Sequence, residues 1–230
     1  MVDAVLFEWD GVLADTAGAR RAALSRALAE ESVHIDDAGI DAQIDGRRVE
    51  EIVGDLLTAA GCYDLTLVDL VTLRASRAFS ERMSTGITLR PGARELVERA
   101  QSAAPLAIVT SANRSETECV LRLADLEGAF ATVVAADDGH DAPPSAAMYR
   151  HAVERIRRRR RIHGDHVIAL ACGVLPLRAA SAAGVRTVAV STPAHVSVEA
   201  DGAVESISGL TIRDLAELAG IASATSERWS

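Results

Sequence analysis

The chain has 230 residues, nearly half of them apolar but only 3% aromatic, and a formal net charge of −9. That length suits one α/β domain or a core with an insert, and its interior must be built from Ala, Val, Leu and Ile. The acidic balance argues against a nucleic-acid partner; no apolar run reaches the roughly eighteen residues of a membrane span, and Asp3, Glu8 and Asp10 interrupt any signal-peptide core, so the expectation is a cytoplasmic protein that does not engage membranes.

The run Ala4-Val5-Leu6-Phe7 ends in Glu8, Asp10 and Gly11, which reads as a buried strand stopping at a turn. Alternation sends Glu8 and Asp10 to the same side, at the carboxyl end of a sheet, where open α/β folds place their ligands. An Ala- and Arg-rich helix is predicted from Thr16 or Gly18 to about Glu31, and helical spacing of apolar residues recurs from Gly46 to Leu57 and from Leu67 to Met83. After the Arg90-Pro91-Gly92 turn a helix runs from Ala93 to about Ala103. Strands then alternate with helices: strands at Leu106 to Val109, Thr132 to Ala135, Val167 to Leu170 and Thr187 to Val190; helices at Ser115 to Asp125, Ser145 to about Arg157, Leu175 to Ala183 and Ile212 to Ala219, before a polar tail. Such alternation implies βαβ units and a mostly parallel sheet.

The stretch from Ala4 to Thr16 resembles the first signature of the haloacid dehalogenase-like (HAD) phosphatases, Phe-Asp-x-Asp-Gly-Thr/Val-Leu, and its Ala14-Asp15-Thr16 tail resembles the beta-phosphoglucomutase-like branch. The resemblance extends over nearly the whole chain. It implies an α/β fold with a Rossmannoid, mostly parallel sheet covered by helices on both faces, formed by 1–15 and 91–230, and a small helical cap of 16–90 inserted after the first strand. In that family the first aspartate attacks phosphorus and the second serves as acid and base. A Ser/Thr and a Lys hold the phosphoryl group, and acids after a later strand help to bind Mg²⁺.

Each of these positions has a counterpart here. Glu8 stands at the nucleophile position, one methylene too long, and a misplacement of roughly 1 Å can cost about a hundredfold in rate. Asp10 matches the acid/base position. Within Leu106 to Arg114, which resembles the second motif, Thr110 takes the hydroxyl position, with Ser111 and Asn113 beside it as candidate substrate-binding residues. In the third motif, aligned on its prolines and Tyr149, Pro143 falls where the Lys belongs; all 24 basic residues are Arg, so no Lys elsewhere can replace it, and Arg is a poor substitute in a tight phosphate pocket. His140 is nearby, as a cation at low pH or a surface loop residue. In the fourth, Ala171 and Cys172 occupy the two acidic positions, and no acid lies between Asp165 and Glu199. Mg²⁺ prefers hard oxygen donors, so no metal ligand is assigned.

Cys172 reads as a structural cysteine or a nucleophile before a helix; with Cys62 and Cys119 too scattered for a zinc site, reduced thiols are expected. Arg47, in Gly46-Arg47-Arg48 where the family's cap dips toward the site, is a candidate anion contact or a solvated helix start. Arg157 to Arg161 ends a helix, where positive charge suits the dipole, and could dock an acidic partner or be simply hydrated. The altered positions imply that Mg²⁺-dependent phosphate chemistry is lost, with no cofactor and at most weak Mg²⁺ binding. The cleft is then non-catalytic or reused for a small-molecule ligand or protein partner. Two alternatives stay open: metal-free acid/base work by Glu8 and Asp10 on an organic substrate, and weak phosphatase or phosphomutase activity.

Overall fold

The structure, a computed structural model, describes residues 1–221; the end of the predicted polar tail lies outside them. Six strands form one wholly parallel sheet in the order β3-β2-β1-β4-β5-β6: β1 (Ala4–Phe7), β2 (Leu106–Val109), β3 (Thr132–Val134), β4 (Val167–Ala171), β5 (Arg186–Val190) and β6 (Gly202–Val204). The central β1 is buried throughout, as its continuous apolar run demands of a parallel strand covered on both faces.

Alternation along the strands divides the core. Val5, Phe7, Ile108 and Leu170 face α5 (Ala93–Ala103), α6 (Arg114–Leu123) and α10 (Ile212–Leu218), whereas Leu6, Ala107 and Ala169 face α7 (Ala147–Arg157) and α8 (Val174–Ala182). Between β1 and α5 the chain forms four helices and no strand: α1 (Ala17–Ala29), α2 (Asp37–Asp41), α3 (Val49–Ala59) and α4 (Leu65–Ser84). They bury their own apolar cluster of Leu24, Leu28, Ile52, Leu57 and Val71, which makes them a helical cap on the α/β core. Among the described residues no helix is long and apolar enough to cross a membrane.

Five short elements were not anticipated: α2, α9 (Ala194–Ser197), β6 and two single-turn 3-10 helices, Ala136–Asp138 and Gly164–His166. The helical spacing also began the second cap helix at Gly46, three residues early. Gly46 has φ +64° and Arg48 is extended, so the backbone turns into the helix only at Val49.

Candidate functional site between core and cap

The register Phe7↔Leu170 and Phe7↔Ile108 brings the ends of β1, β2 and β4 level, and Glu8 leaves β1 at that edge. A cavity of about 130 Å³ opens there, lined from the core by Glu8, Asp10, Ser111 and Cys172 and from the cap by Arg20 and Arg47, with Ile44, Val49 and Ile52 as an apolar wall. Glu8 and Asp10 therefore meet as the alternation requires.

Glu8 is buried, and its Oε2 accepts the Cys172 backbone N–H at 2.8 Å. Burial pushes its carboxyl well above the usual carboxylate range; the amide of Cys172 opposes this, and the charges of Asp10 and Asp45 add to the rise. Asp10 Oδ1 accepts the Thr16 hydroxyl at 2.5 Å. Gly11 is required on two counts: its φ is +76°, and a Cβ there would lie 2.8 Å from the Cβ of Cys172. Burial, then the Glu8 carboxyl, pushes the Cys172 thiol up to about 11, which suits a structural thiol and not a nucleophile at neutral pH.

The second-motif residues serve local structure. Thr110 is buried and its Oγ1 accepts the Ala112 N–H at 3.1 Å, closing the turn after β2; it does not line the cavity. Ser111 lines it and donates to the Gly46 carbonyl of the cap. Asn113 stands at the N-cap of α6 without a side-chain bond to the helix. The Arg47 guanidinium reaches back to Gln43 Oε1 at 2.7 Å and Asp55 Oδ2 at 2.6 Å, so its charge is neutralised within the cap.

Two charged groups beside the cavity were not anticipated from the sequence. Arg20, at 6% exposure, donates to Glu116 Oε2 of α6 at 3.1 Å and stacks over the Phe79 ring at 3.6 Å, leaving Nη1 and Glu116 Oε1 without partners. Its spacing of four from Thr16 placed it on the helix face above Asp10, a signal that was available. Asp45 was hidden because nothing in sequence ties it to β4: its Oδ1 accepts the Val174 N–H at 3.1 Å, so a cap carboxylate occupies the N-terminus of α8. Next to it Gly46 packs on Pro176, and Arg48 donates to the His140 carbonyl.

A magnesium ion fits this donor set poorly. Ala171 and Cys172 offer no carboxylate, Glu8 spends one oxygen on an amide, and among the described residues no group of three or more His, Cys, Asp or Glu is placed to hold a metal ion.

A parallel α/β core with two acids at the end of its first strand and a helical cap over that edge define a capped HAD-type scaffold. The chain belongs to the haloacid dehalogenase-like hydrolase family, whose model matches residues 2–170. It is similar to the protein CbbY encoded on a plasmid of Cupriavidus necator, 29% identical over 88% of this chain and 84% of that one. Among solved structures it is similar to a mutant CbbY from Rhodobacter sphaeroides in complex with xylulose-1,5-bisphosphate, with TM-score 0.81 and 23% identity over 94% of this chain and 99% of the other. It also shares its fold with beta-phosphoglucomutase from Clostridium difficile, with TM-score 0.84 and 15% identity over 96% and 98% of the two chains.

Proposed function

We propose that this HAD-fold protein no longer performs magnesium-dependent phosphoryl transfer, and that its cleft binds a small-molecule ligand or protein partner between a core of 1–15 and 91–230 and a cap of 16–90. The observation that carries the reading is the state of Glu8: buried, bonded to the Cys172 amide at 2.8 Å and driven toward its neutral form. With one oxygen held by the Cys172 amide and the side chain one methylene longer than aspartate, the carboxyl is poorly placed for in-line attack or metal ligation. Phosphoryl transfer depends on positioning and charge neutralisation, and removing one stabilising group typically costs about a hundred- to a thousandfold. Here Pro143, Ala171 and Cys172 leave several such groups missing together, and Arg47 is already paired.

The test is phosphate release from a panel of sugar phosphates and bisphosphates, xylulose-1,5-bisphosphate included, with and without Mg²⁺. The expected result is no turnover above that of a Glu8→Gln/Asp10→Asn double variant. Magnesium-dependent release that disappears in Glu8→Gln would overturn the proposal in favour of a phosphatase or phosphomutase.

The raised Glu8 carboxyl also favours a second reading, metal-free acid/base catalysis. In it Glu8 donates a proton to an organic substrate while Asp10, oriented by the Thr16 hydroxyl, accepts one. Product formation without phosphate release, abolished by Glu8→Gln and by Asp10→Asn alike, would support this reading.

A further inference from the structure

On the opposite edge of the sheet from the cleft, the chain concentrates positive charge that it does not use internally. The α7 helix starts near the site, where burial and then the nearby Glu8 carboxyl raise the Tyr149 hydroxyl, and runs out at Arg157, the first of Arg157 to Arg161, near the start of β1, where the His163 backbone N–H donates to Asp3 Oδ2. All five of these arginines are exposed, and among the described residues none has a side-chain hydrogen bond or ion pair. Every other described arginine except Arg82 has its guanidinium bonded or ion-paired to a protein oxygen. That all 24 basic residues of the chain are Arg accounts for the residue type; it does not account for five unpaired neighbours in a chain of net charge −9.

The run is also held in place. Ile156 and Ile162, which bracket it, are 3% and 5% exposed. The backbone N–H groups of Arg158, Arg159 and Arg160 bond back to Glu154 and Ile156 carbonyls. The backbone of the run is thus already ordered, so engaging the guanidiniums costs side-chain entropy alone.

We propose that Arg157 to Arg161 form a docking surface for a carboxylate-rich segment of another protein, each planar guanidinium forking onto a carboxylate. An extended polyanion fits less well, because the unpaired positive charge is confined to five consecutive residues in a chain of net charge −9, which matches a short acidic segment better than a long phosphate backbone. A membrane surface also fits less well, since both bracketing isoleucines are buried and the run holds no apolar side chain to insert.

The experiment uses the full chain and a fluorescein-labelled oligoglutamate of about ten residues, followed by anisotropy at roughly 50 mM salt, where surface charges are weakly screened. Replacing all five residues (Arg157→Gln, Arg158→Gln, Arg159→Gln, Arg160→Gln and Arg161→Gln) is expected to weaken binding about tenfold or more. The corresponding Arg→Lys set should retain only part of the affinity. Arg77→Gln/Arg213→Gln, at exposed but paired positions, should leave it unchanged, and circular dichroism should report the same fold in every variant. The proposal is overturned if the glutamine set binds the peptide as well as the parent. It is equally overturned if oligothymidylate or phosphatidylserine vesicles bind the run more tightly than the peptide, or if sedimentation shows the run holding two copies of this chain together.

Discussion

Glu8→Gln is the substitution whose outcome follows most directly from the site. Gln keeps the shape and keeps an oxygen to accept the Cys172 N–H, while the ionisable group is removed. In the folded chain the Glu8 carboxyl is raised by burial and by the neighbouring charges of Asp10 and Asp45; in the unfolded chain it titrates near the ordinary value of about 4.3. Below that value both states hold the proton and Glu8 costs nothing. As pH rises above it the unfolded chain gives up its proton first, so the parent loses stability until the folded carboxyl also ionises. The slope over that window is one proton per molecule, about 1.4 kcal/mol per pH unit, and Glu8 is buried enough that solvent does not screen it away. Urea unfolding of parent and variant from about pH 5 to about pH 8 reads the difference directly. The variant should gain on the parent as pH rises. A constant offset across the range, or a parent that gains with pH, would refute the reasoning.

Arg20→Ala strands Glu116 in a buried site and should cost about 3–5 kcal/mol, whereas Arg20→Met with Glu116→Leu should recover most of it; denaturant midpoints decide. Gly173→Ala, at φ +127° with its new Cβ 2.2 Å from Asp45 Oδ1, should destabilise by about 1–3 kcal/mol, and less in an Asp45→Ala background, which a double-mutant cycle measures. Cys172, with its thiol raised to about 11, should react with iodoacetamide at pH 8 at least about tenfold more slowly than an unperturbed thiol of pKa about 8.5, followed by mass spectrometry of the labelled peptide.

The strands legible in the sequence were those buried on both faces, because a continuous apolar run carries that information locally. Gly202-Ala203-Val204 carried none: β6 exists by pairing with β5 and through Asp201, whose carboxylate accepts the Thr187 N–H at 2.8 Å and its hydroxyl at 3.0 Å. The α2 helix likewise rests on a local cap, Asp36 accepting the Gly39 N–H, and is too short to show a period. In the site, Glu8 and Asp10 were legible as acids that end a buried strand, and Ser111 and Arg47 through the resemblance to the family's second motif and cap; all four line the cavity. Arg20 and Asp45 were not, since each acquires its role from a partner far away in the chain, Glu116 and Val174.

The loop from Asp45 to Arg48 fastens to three separate turns of the core: Asp45 to the start of α8, the Gly46 carbonyl to Ser111 after β2, and Arg48 to His140 before α7. Each anchor runs through one rotatable side chain, so the loss of any one leaves the loop held by the other two. A single truncation such as Ser111→Ala is therefore expected to loosen the seam between cap and core far less than removal of all three contacts together.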